Sequence, residues 1–208
     1  YDVAYYVDVL LPTERLASFV NARKDHPQHD YLLYALGVRY MRDKRWDDAR
    51  ATLRQVRTET VPPIESNYYG KNREVIFAKE PDWDERTVLK TSWVMQDLKS
   101  IDALEHLEKA VETAPDDEAK AEAMYQLASY QFEADDLLFY NPAAWKGMRH
   151  WLLDDLADSG RTRFANEEQT IFEHSQQHEG LSRAIPIYLE IAERFPNTRA
   201  AKDALYSA

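Results

Sequence analysis

The chain has 208 residues, a formal net charge of −11 and no cysteine. A surface this acidic repels phosphate backbones, so general nucleic-acid binding is disfavoured. The lack of cysteine excludes disulfides, thiol catalysis and cysteine-ligated metals. Hydrophobic residues make up 44% of the chain and Gly occupies only 5 positions, which favours a packed, all-helical protein.

The first part of the chain, residues 1–27, is predicted to be a partial helical unit. Residues 2–11 are strongly apolar and long enough for about three helical turns. A second helix is expected from Pro12, because proline is well tolerated in a first turn, and Thr13 is a candidate cap. The buried stripe of this helix is expected to consist of Leu16, Phe19 and Val20.

Residues 30–62 carry the clearest helix–turn–helix pattern. The first helix is predicted at 31–43 and the second at 46–58, with Lys44 and Arg45 in the turn. Small residues recur where the two helices would cross, and helices approach closely only where side chains are small. The positions of the pattern are Leu33, Leu36, Gly37, Tyr40, Ala49, Leu53 and Val56.

A long connection is predicted at residues 63–83. Most connections between helices are much shorter, so we expect this segment to pack partly on the helices around it. Residues 84–115 then return to the repeat pattern. Their first helix is expected around 85–99, and Ser100 is a candidate cap for the second.

The third unit, residues 121–196, is predicted to be split by an insertion at 136–180. Its first helix is expected within 116–134. The matching second helix is expected within 181–195, because the spacing of its small and apolar residues repeats that of residues 103–115. The sequence therefore predicts that two segments far apart in the chain pack as one pair.

The insertion at 136–180 contains two helical patterns of its own. One is Pro142–Ala157, which is too apolar to stand free in water and must bury a face. The other is Phe164–His178. After the third unit, residues 197–208 predict the start of a further helix, with Asn197 and Thr198 as its cap.

These patterns resemble the tetratricopeptide repeat (TPR), a helix–turn–helix unit of about 34 residues. The likeness is carried by the small residues of 30–62 and by the shared spacing of 103–115 and 184–196. The C-terminal part is also similar to TPR-like bacterial envelope lipoproteins of the outer-membrane assembly type. The resemblance implies an all-α fold: a right-handed α-solenoid of antiparallel helix pairs with a helical insertion. It also implies a non-catalytic binding scaffold without a cofactor.

In TPR proteins the first helix of each unit lines a concave groove, so the resemblance implies a partner-binding surface here. Its aromatic and Met-rich character suits apolar side chains or a helix of a partner protein or peptide. The same positions could instead pack against the insert helix, whose Trp145 and Trp151 would then be covered. The implied groove positions are Tyr31, Tyr34, Val38, Met41, Arg42, Val88, Met95, Tyr125 and Phe132.

Two rival hypotheses come from other features. His174 and His178 lie four residues apart on a predicted helix, and two imidazoles at that spacing can ligate one zinc ion. The stretch H-S-Q-Q-H has no Glu after the first His, so it does not match the metalloprotease motif, and surface polar residues are the alternative interpretation. The third hypothesis is a structural subunit that associates with itself through the apolar insert.

The sequence carries limited information on location. No apolar run approaches 18 residues, so no transmembrane helix is expected. The chain begins at Tyr1 without Met and stops at Ala208 inside a helical pattern. We therefore expect a piece of a longer protein, and a periplasmic or envelope-associated location if the source is bacterial. The identity of the partner and the oligomeric state do not follow from the sequence.

Overall fold

A computed structural model describes residues 2–57, 93–133, 138–139, 141 and 166–207. Within these stretches the chain forms nine α-helices, one π-helical turn and no β-strand, so the all-α fold class is confirmed. None of these helices is long and apolar enough to cross a membrane. The expected connection at 63–83 and the expected insert helix at 142–157 lie outside the described residues.

The helices follow one another along the chain, and a π-helical turn, Tyr6–Leu10, continues the first of them. They are α1 (Asp2–Tyr5), α2 (Thr13–Ala22), α3 (His29–Arg42), α4 (Trp46–Leu53), α5 (Trp93–Thr113), α6 (Asp117–Glu133), α7 (Asn166–His178), α8 (Gly180–Arg194) and α9 (Arg199–Ser207).

The chain divides into two compact units. Unit 1 comprises residues 1–63, 92–95 and 139–177, and unit 2 comprises residues 64–91, 96–138 and 178–208. Unit 1 therefore holds α1 to α4 and nearly all of α7, whereas unit 2 holds most of α5 together with α6, α8 and α9.

In unit 1, α3 packs against both α2 and α4. The contact with α4 is close because α3 carries Gly37 at the crossing. A Cβ atom at Gly37 would lie 2.6 Å from Cδ2 of Leu53, a side chain that is itself fully buried. Ala49 is also fully buried. The two small residues that the sequence singled out thus lie in the interior of this pair.

The ends of α3 and α4 show that the two helices run antiparallel. A turn joins them at one end, where Lys44 has a positive φ of 56°. At the other end Asp30, in the first turn of α3, accepts hydrogen bonds from the Arg57 backbone N–H at 3.2 Å and from its Nε at 2.8 Å. The predicted turn and the predicted pairing are both present.

In unit 2, α6 packs extensively against α8, and α9 contacts both of them. Ser129 and Gln131 of α6 meet Tyr188 and Arg183 of α8, so these two helices run antiparallel. Glu118 near the start of α6 contacts Arg199 at the start of α9, whereas Tyr125, two turns further along α6, contacts the end of α9. Helix α9 therefore runs parallel to α6.

Small side chains make this close packing in unit 2 possible, because alanines allow helix axes to approach. The core combines six alanines from the three helices with a few larger apolar residues. Its members are Ala121, Met124, Ala128, Ala184, Tyr188, Ile191, Phe195, Ala200, Ala201 and Ala204. The contact between segments 116–134 and 181–195, predicted across the insertion, is present.

Several local expectations need correction. Helix α5 runs without a break through Ser100, which is buried in its middle and does not cap a second helix. Phe19 is exposed on α2, because the buried stripe consists of Leu16, Ala17 and Val20. The Arg23 guanidinium lies 5.7 Å from the centroid of the Phe19 ring. Helix α4 ends at Leu53, earlier than expected.

Of the three predicted caps, at Thr13, at Ser100 and at Asn197 with Thr198, only the last is present. Thr198 caps α9, since its Oγ1 accepts the Ala201 backbone N–H at 3.2 Å. Thr13 makes no cap bond at the start of α2; its hydroxyl lies 3.2 Å from the Arg39 guanidinium and accepts a hydrogen bond from it.

Candidate functional site

Three of the implied groove positions lie in the interior of unit 1. Tyr34, Val38 and Met41 on α3 are all fully or almost fully buried, and Tyr31 is half-buried. The close packing around α3 covers the side that the repeat pattern assigned to a partner. These three side chains therefore offer no open surface to a partner in this conformation.

Arg42, the one basic residue of the implied groove, makes a buried ion pair with Asp8. Its Nη1 donates to Asp8 Oδ1 at 2.7 Å and its Nη2 to Asp8 Oδ2 at 3.0 Å. Nη2 also donates to the Phe139 carbonyl oxygen at 2.7 Å. The Asp8 side chain is only 1% exposed and that of Arg42 only 5%. Arg42 is therefore occupied inside unit 1 and does not face a partner.

Further polar groups surround the Asp8 carboxylate. Asn141 Nδ2 donates to Asp8 Oδ1 at 3.0 Å, and His174 Nε2 lies 3.5 Å from Asp8 Oδ2. The Arg39 Nη1 donates to the backbone carbonyls of Val7 and Asp8 at 3.2 and 2.9 Å. We call the set Asp8, Arg39, Arg42, Asn141 and His174 the Asp8 cluster.

The backbone around Asp8 helps to place the carboxylate. Asp8 lies in the π-helical turn, where the Leu11 backbone N–H donates to the Tyr6 carbonyl oxygen at 2.8 Å. In a π-helical turn the hydrogen bonds span one residue more than in an α-helix, so some carbonyls are freed from the ordinary ladder. The carbonyls of Val7 and Asp8 accept from the guanidinium groups of α3.

The charges of the Asp8 cluster shift one another's pKa values. Burial alone would raise the pKa of the Asp8 carboxyl, but the Arg42 guanidinium and the hydrogen bond from His174 hold that pKa well below its usual range. Burial lowers the pKa of Arg39, and the neighbouring charge of Arg42 lowers it further. Asp8 is therefore a carboxylate at neutral pH, fixed by direct ion pairing.

The Asp8 cluster is suited to joining chain segments, because its carboxylate is closed to solvent. Its members come from the π-helical turn, from α3, from Asn141 and from α7. A substrate arriving from water cannot reach a carboxylate that is 1% exposed and already bound to a guanidinium. Strongly shifted pKa values can mark active sites, but structural ion pairs produce them as well.

The sequence contained one signal for this cluster. Asp8 is the lone carboxylate in the apolar run V-D-V-L-L, and a charged residue is almost never fully buried unless it is paired. Its partners lie up to 166 positions away, so no spacing rule could identify them. Asp8 and Asn141 were therefore missed as members of one site.

The two histidines of the zinc hypothesis lie on α7. His174 is turned toward Asp8 within the Asp8 cluster, and His178 is the last residue of the helix. Across residues 2–57, 93–133, 138–139, 141 and 166–207, no group of three or more His, Cys, Asp or Glu side chains is arranged to hold a metal ion.

In unit 2 the implied groove positions have a different environment. Phe132, near the end of α6, is 51% exposed. Tyr125, two turns earlier, is half-buried, with its ring centroid 5.4 Å from that of Tyr188 and its hydroxyl 3.3 Å from Ser207 Oγ. Met95 on α5, which belongs to unit 1, is also exposed. The remaining site predictions, Val88, Trp145 and Trp151, lie outside the described residues.

The side of α6 that carries Tyr125 and Phe132 also carries acidic residues. Glu118, Glu122 and Glu133 are exposed and recur at helical spacing on the same side. Ser129 lies between Tyr125 and Phe132 on this side, and its hydroxyl is hydrogen-bonded to the Tyr188 hydroxyl at 3.1 Å. We call this the α6 outer face, made up of Glu118, Glu122, Tyr125, Ser129, Phe132 and Glu133.

Comparisons with known proteins add no relative for this chain: no protein-family model, curated protein or solved structure matches it.

Proposed function

We propose that this chain is a non-catalytic scaffold that binds a partner protein or peptide through an apolar and aromatic surface. We further propose that its helix pairs belong to a TPR-like, right-handed α-solenoid with a helical insertion. The observation that carries the binding proposal is the α6 outer face, where Phe132 is half-exposed beside the supported ring of Tyr125.

The order of helices in unit 2 supports the TPR-like arrangement. In a TPR array, the first helix of one unit packs against both helices of the unit before it. Helix α9 packs on both α6 and α8, parallel to the first and following the second in the chain. The close approach at Gly37 in unit 1 supports the same type of helix pair.

The surface chemistry of α6 supports binding to a protein or peptide. Exposed aromatic side chains anchor partners because they bury a large area with few rotatable bonds. Tyr125 is already held by Tyr188 and Ser207, so little conformational freedom would be lost when a partner covers it.

A peptide-selection experiment tests this function. Peptides are selected from a random displayed library against the whole chain, and their affinities are then measured for Phe132→Ala and Leu189→Ala. Leu189 on α8 is 52% exposed, which matches Phe132 closely. The proposal predicts that selected peptides lose about tenfold or more in affinity on Phe132→Ala and keep it on Leu189→Ala. Selected peptides whose affinity is unchanged by Phe132→Ala would contradict the proposal.

A further inference from the structure

We propose that the α6 outer face recognises a cationic amphipathic segment of its partner, one that offers lysine or arginine side chains together with an apolar anchor. This inference rests on the proposed binding function and adds the chemical class of the partner. It follows from how charge and apolar surface are arranged on α6 and on the adjoining side of α9.

The α6 outer face extends along the helix, and its middle part, Tyr125 and Ser129, is half-buried where it contacts Tyr188 of α8. From Glu118 to Phe132 its residues follow one another at intervals of three and four, the spacing that places side chains on one side of an α-helix, and Glu133 lies four residues after Ser129. The adjacent side of α6 is buried, since Ala121, Met124 and Ala128 lie in the core of unit 2, and Tyr125 packs partly against that core. The face therefore runs from the first turn of α6 to the last.

Two aromatic residues provide the apolar part of this face. Tyr125 is held in position by the Tyr188 ring and by its hydroxyl contact with Ser207. Phe132 lies two turns further on and is 51% exposed. A partner side chain placed between them would cover Phe132 while resting on an already ordered Tyr125.

The charged part of the face is acidic and uncompensated. Glu122 accepts a hydrogen bond from Gln126 at 3.0 Å, but neither Glu122 nor Glu133 forms an ion pair with any residue in the described stretches. On α9, Arg199 lies 3.8 Å from Asp203, so its charge is already balanced. The two carboxylates thus face solvent beside the aromatic residues.

This charge pattern selects among possible partners. An acidic segment would be repelled by Glu122 and Glu133 and by the net charge of −11 on the chain. A purely apolar segment would leave both carboxylates partly desolvated and unpaired, which is unfavourable. A segment with lysine or arginine next to an apolar side chain satisfies both parts of the face.

The test uses a defined probe, a fluorescein-labelled amphipathic peptide of about 14 residues with Lys on one face and Leu on the other. A second peptide, in which Glu replaces every Lys, is the comparison. Binding to the whole chain is followed by fluorescence anisotropy at low and high salt. The diagnostic variant is Glu122→Gln/Glu133→Gln. Its matched control is Glu112→Gln/Glu193→Gln, which removes the same charge from exposed positions on α5 and α8.

The expected result is that the Lys–Leu peptide binds and the Glu–Leu peptide does not. Glu122→Gln/Glu133→Gln should weaken binding by about two- to fivefold for each charge removed, more at low salt than at high salt. The control double variant should change affinity less than twofold. Phe132→Ala should weaken binding by about tenfold or more.

Two results would overturn the inference. If both double variants weaken binding equally, the peptide senses only net charge and the face has no role. If the Glu–Leu peptide binds as well as the Lys–Leu peptide and depends on Phe132, the binding face survives but its cationic preference does not. If Phe132→Ala leaves the affinity of every peptide unchanged, the proposed function itself is contradicted.

Discussion

Two regions of this chain, the Asp8 cluster of unit 1 and the core shared by α6, α8 and α9 in unit 2, are stabilised by different interactions. Unit 1 contains a buried carboxylate, Asp8, which binds groups from segments far apart in the chain. The hydrophobic core that α6, α8 and α9 share in unit 2 is built mainly from alanines and a few large apolar side chains. Unit 2 also buries one carboxylate outside that core, Asp97 of α5. Polar contacts are directional and require particular partners, whereas apolar packing depends mainly on size and shape.

This difference predicts different responses to substitution. Removing one member of a buried ion pair leaves the other charge uncompensated, so a single change in the Asp8 cluster should be severe. In an alanine-rich core, removing atoms costs little because there are few to remove, whereas adding atoms is unfavourable. Four substitutions and one pH titration test this contrast.

The largest effect is expected for Asp8→Ala in unit 1. The substitution strands the Arg42 guanidinium, whose side chain is 5% exposed. We expect the free energy of unfolding to fall by about 3–5 kcal/mol, measured by urea denaturation followed by circular dichroism. The control is Asp47→Ala, which removes a fully exposed carboxylate paired with Arg50 at 3.2 Å and should cost at most about 1 kcal/mol. Equal losses for the two variants would show that the Asp8 cluster is not a buried ion pair.

Gly37→Leu tests the close approach of α3 and α4. Because a Cβ alone would lie 2.6 Å from Leu53 Cδ2, a full leucine must push the helices apart, at a cost of about 1–3 kcal/mol or more. The measurement is a thermal and chemical denaturation series that includes Leu53→Ala and the double variant. The double variant should be less destabilised than the sum of the single variants, because Leu53→Ala removes the clashing atoms.

The counterpart in unit 2 is Ala128→Leu, at a fully buried position between α6 and α8. It should cost a similar amount, because overpacking does not depend on whether the neighbouring region is polar or apolar. If Gly37→Leu is tolerated and Ala128→Leu is not, the helix pair of unit 1 is less tightly packed than its Gly37 contact implies.

The pH dependence of stability should report on Asp8. Burial alone would raise its carboxyl pKa, but Arg42 and His174 together hold that pKa well below its usual range in the folded chain. The unfolded carboxyl titrates near about 3.9, so the stabilisation is fully present above that pH and is lost as pH falls toward the folded pKa. We expect wild type to lose stability relative to Asp8→Asn below about pH 4. A stability difference that stays constant from pH 6 to pH 3 would contradict the assigned shift.

The smallest effect is expected for the cap of α9 in unit 2. Thr198 Oγ1 accepts the Ala201 N–H at 3.2 Å and donates to the Phe195 carbonyl oxygen at 2.8 Å. Thr198→Ala should cost about 1 kcal/mol, within a range of about 0.5–2 kcal/mol, in equilibrium unfolding. Thr198→Ser keeps the hydroxyl and should restore most of the loss; equal destabilisation by both would assign the effect to the lost methyl group.

The sequence predicted two of the three helix pairs well, because their determinants are local or periodic. The pair expected within 84–115 is wrong, since α5 runs from Trp93 to Thr113 as one helix. Gly37, Ala49 and Leu53 recur at the spacing that brings two helices together, and all three are buried where α3 meets α4. The pairing of α6 with α8 was also recognised across the insertion. Periodicity indicates which side of a helix is buried, regardless of how far away the partner helix lies in the chain.

The predictions from sequence were wrong where tertiary contacts determine burial or the end of a helix. Phe19 and Arg42 were assigned by helical position alone, yet Phe19 is exposed and Arg42 is drawn inward by Asp8. Ser100 has the chemistry of a cap, but α5 continues through it, with buried apolar residues on both sides of it, Val94 before and Ile101 after. Capping residues are preferences of about 1 kcal/mol, which packing readily overrides.

For the candidate site too, the sequence predicted the position of residues on a helix but not their exposure. The sequence correctly placed Phe132 and Tyr125 on one side of α6, because helical spacing decides that. It could not distinguish them from Tyr34 and Met41, which have the same pattern but are buried in unit 1. Exposure depends on what the rest of the chain covers, and that is a tertiary property.

The most direct test of the binding account is a map of where a selected peptide contacts the chain. Backbone amide signals of the isotope-labelled protein are followed by NMR while a library-selected peptide is added. The account predicts that the largest shifts occur at Tyr125, Ser129, Phe132 and Glu133 on α6. Shifts centred on Leu189 of α8, or on the Asp8 cluster of unit 1, with α6 unchanged, would contradict it.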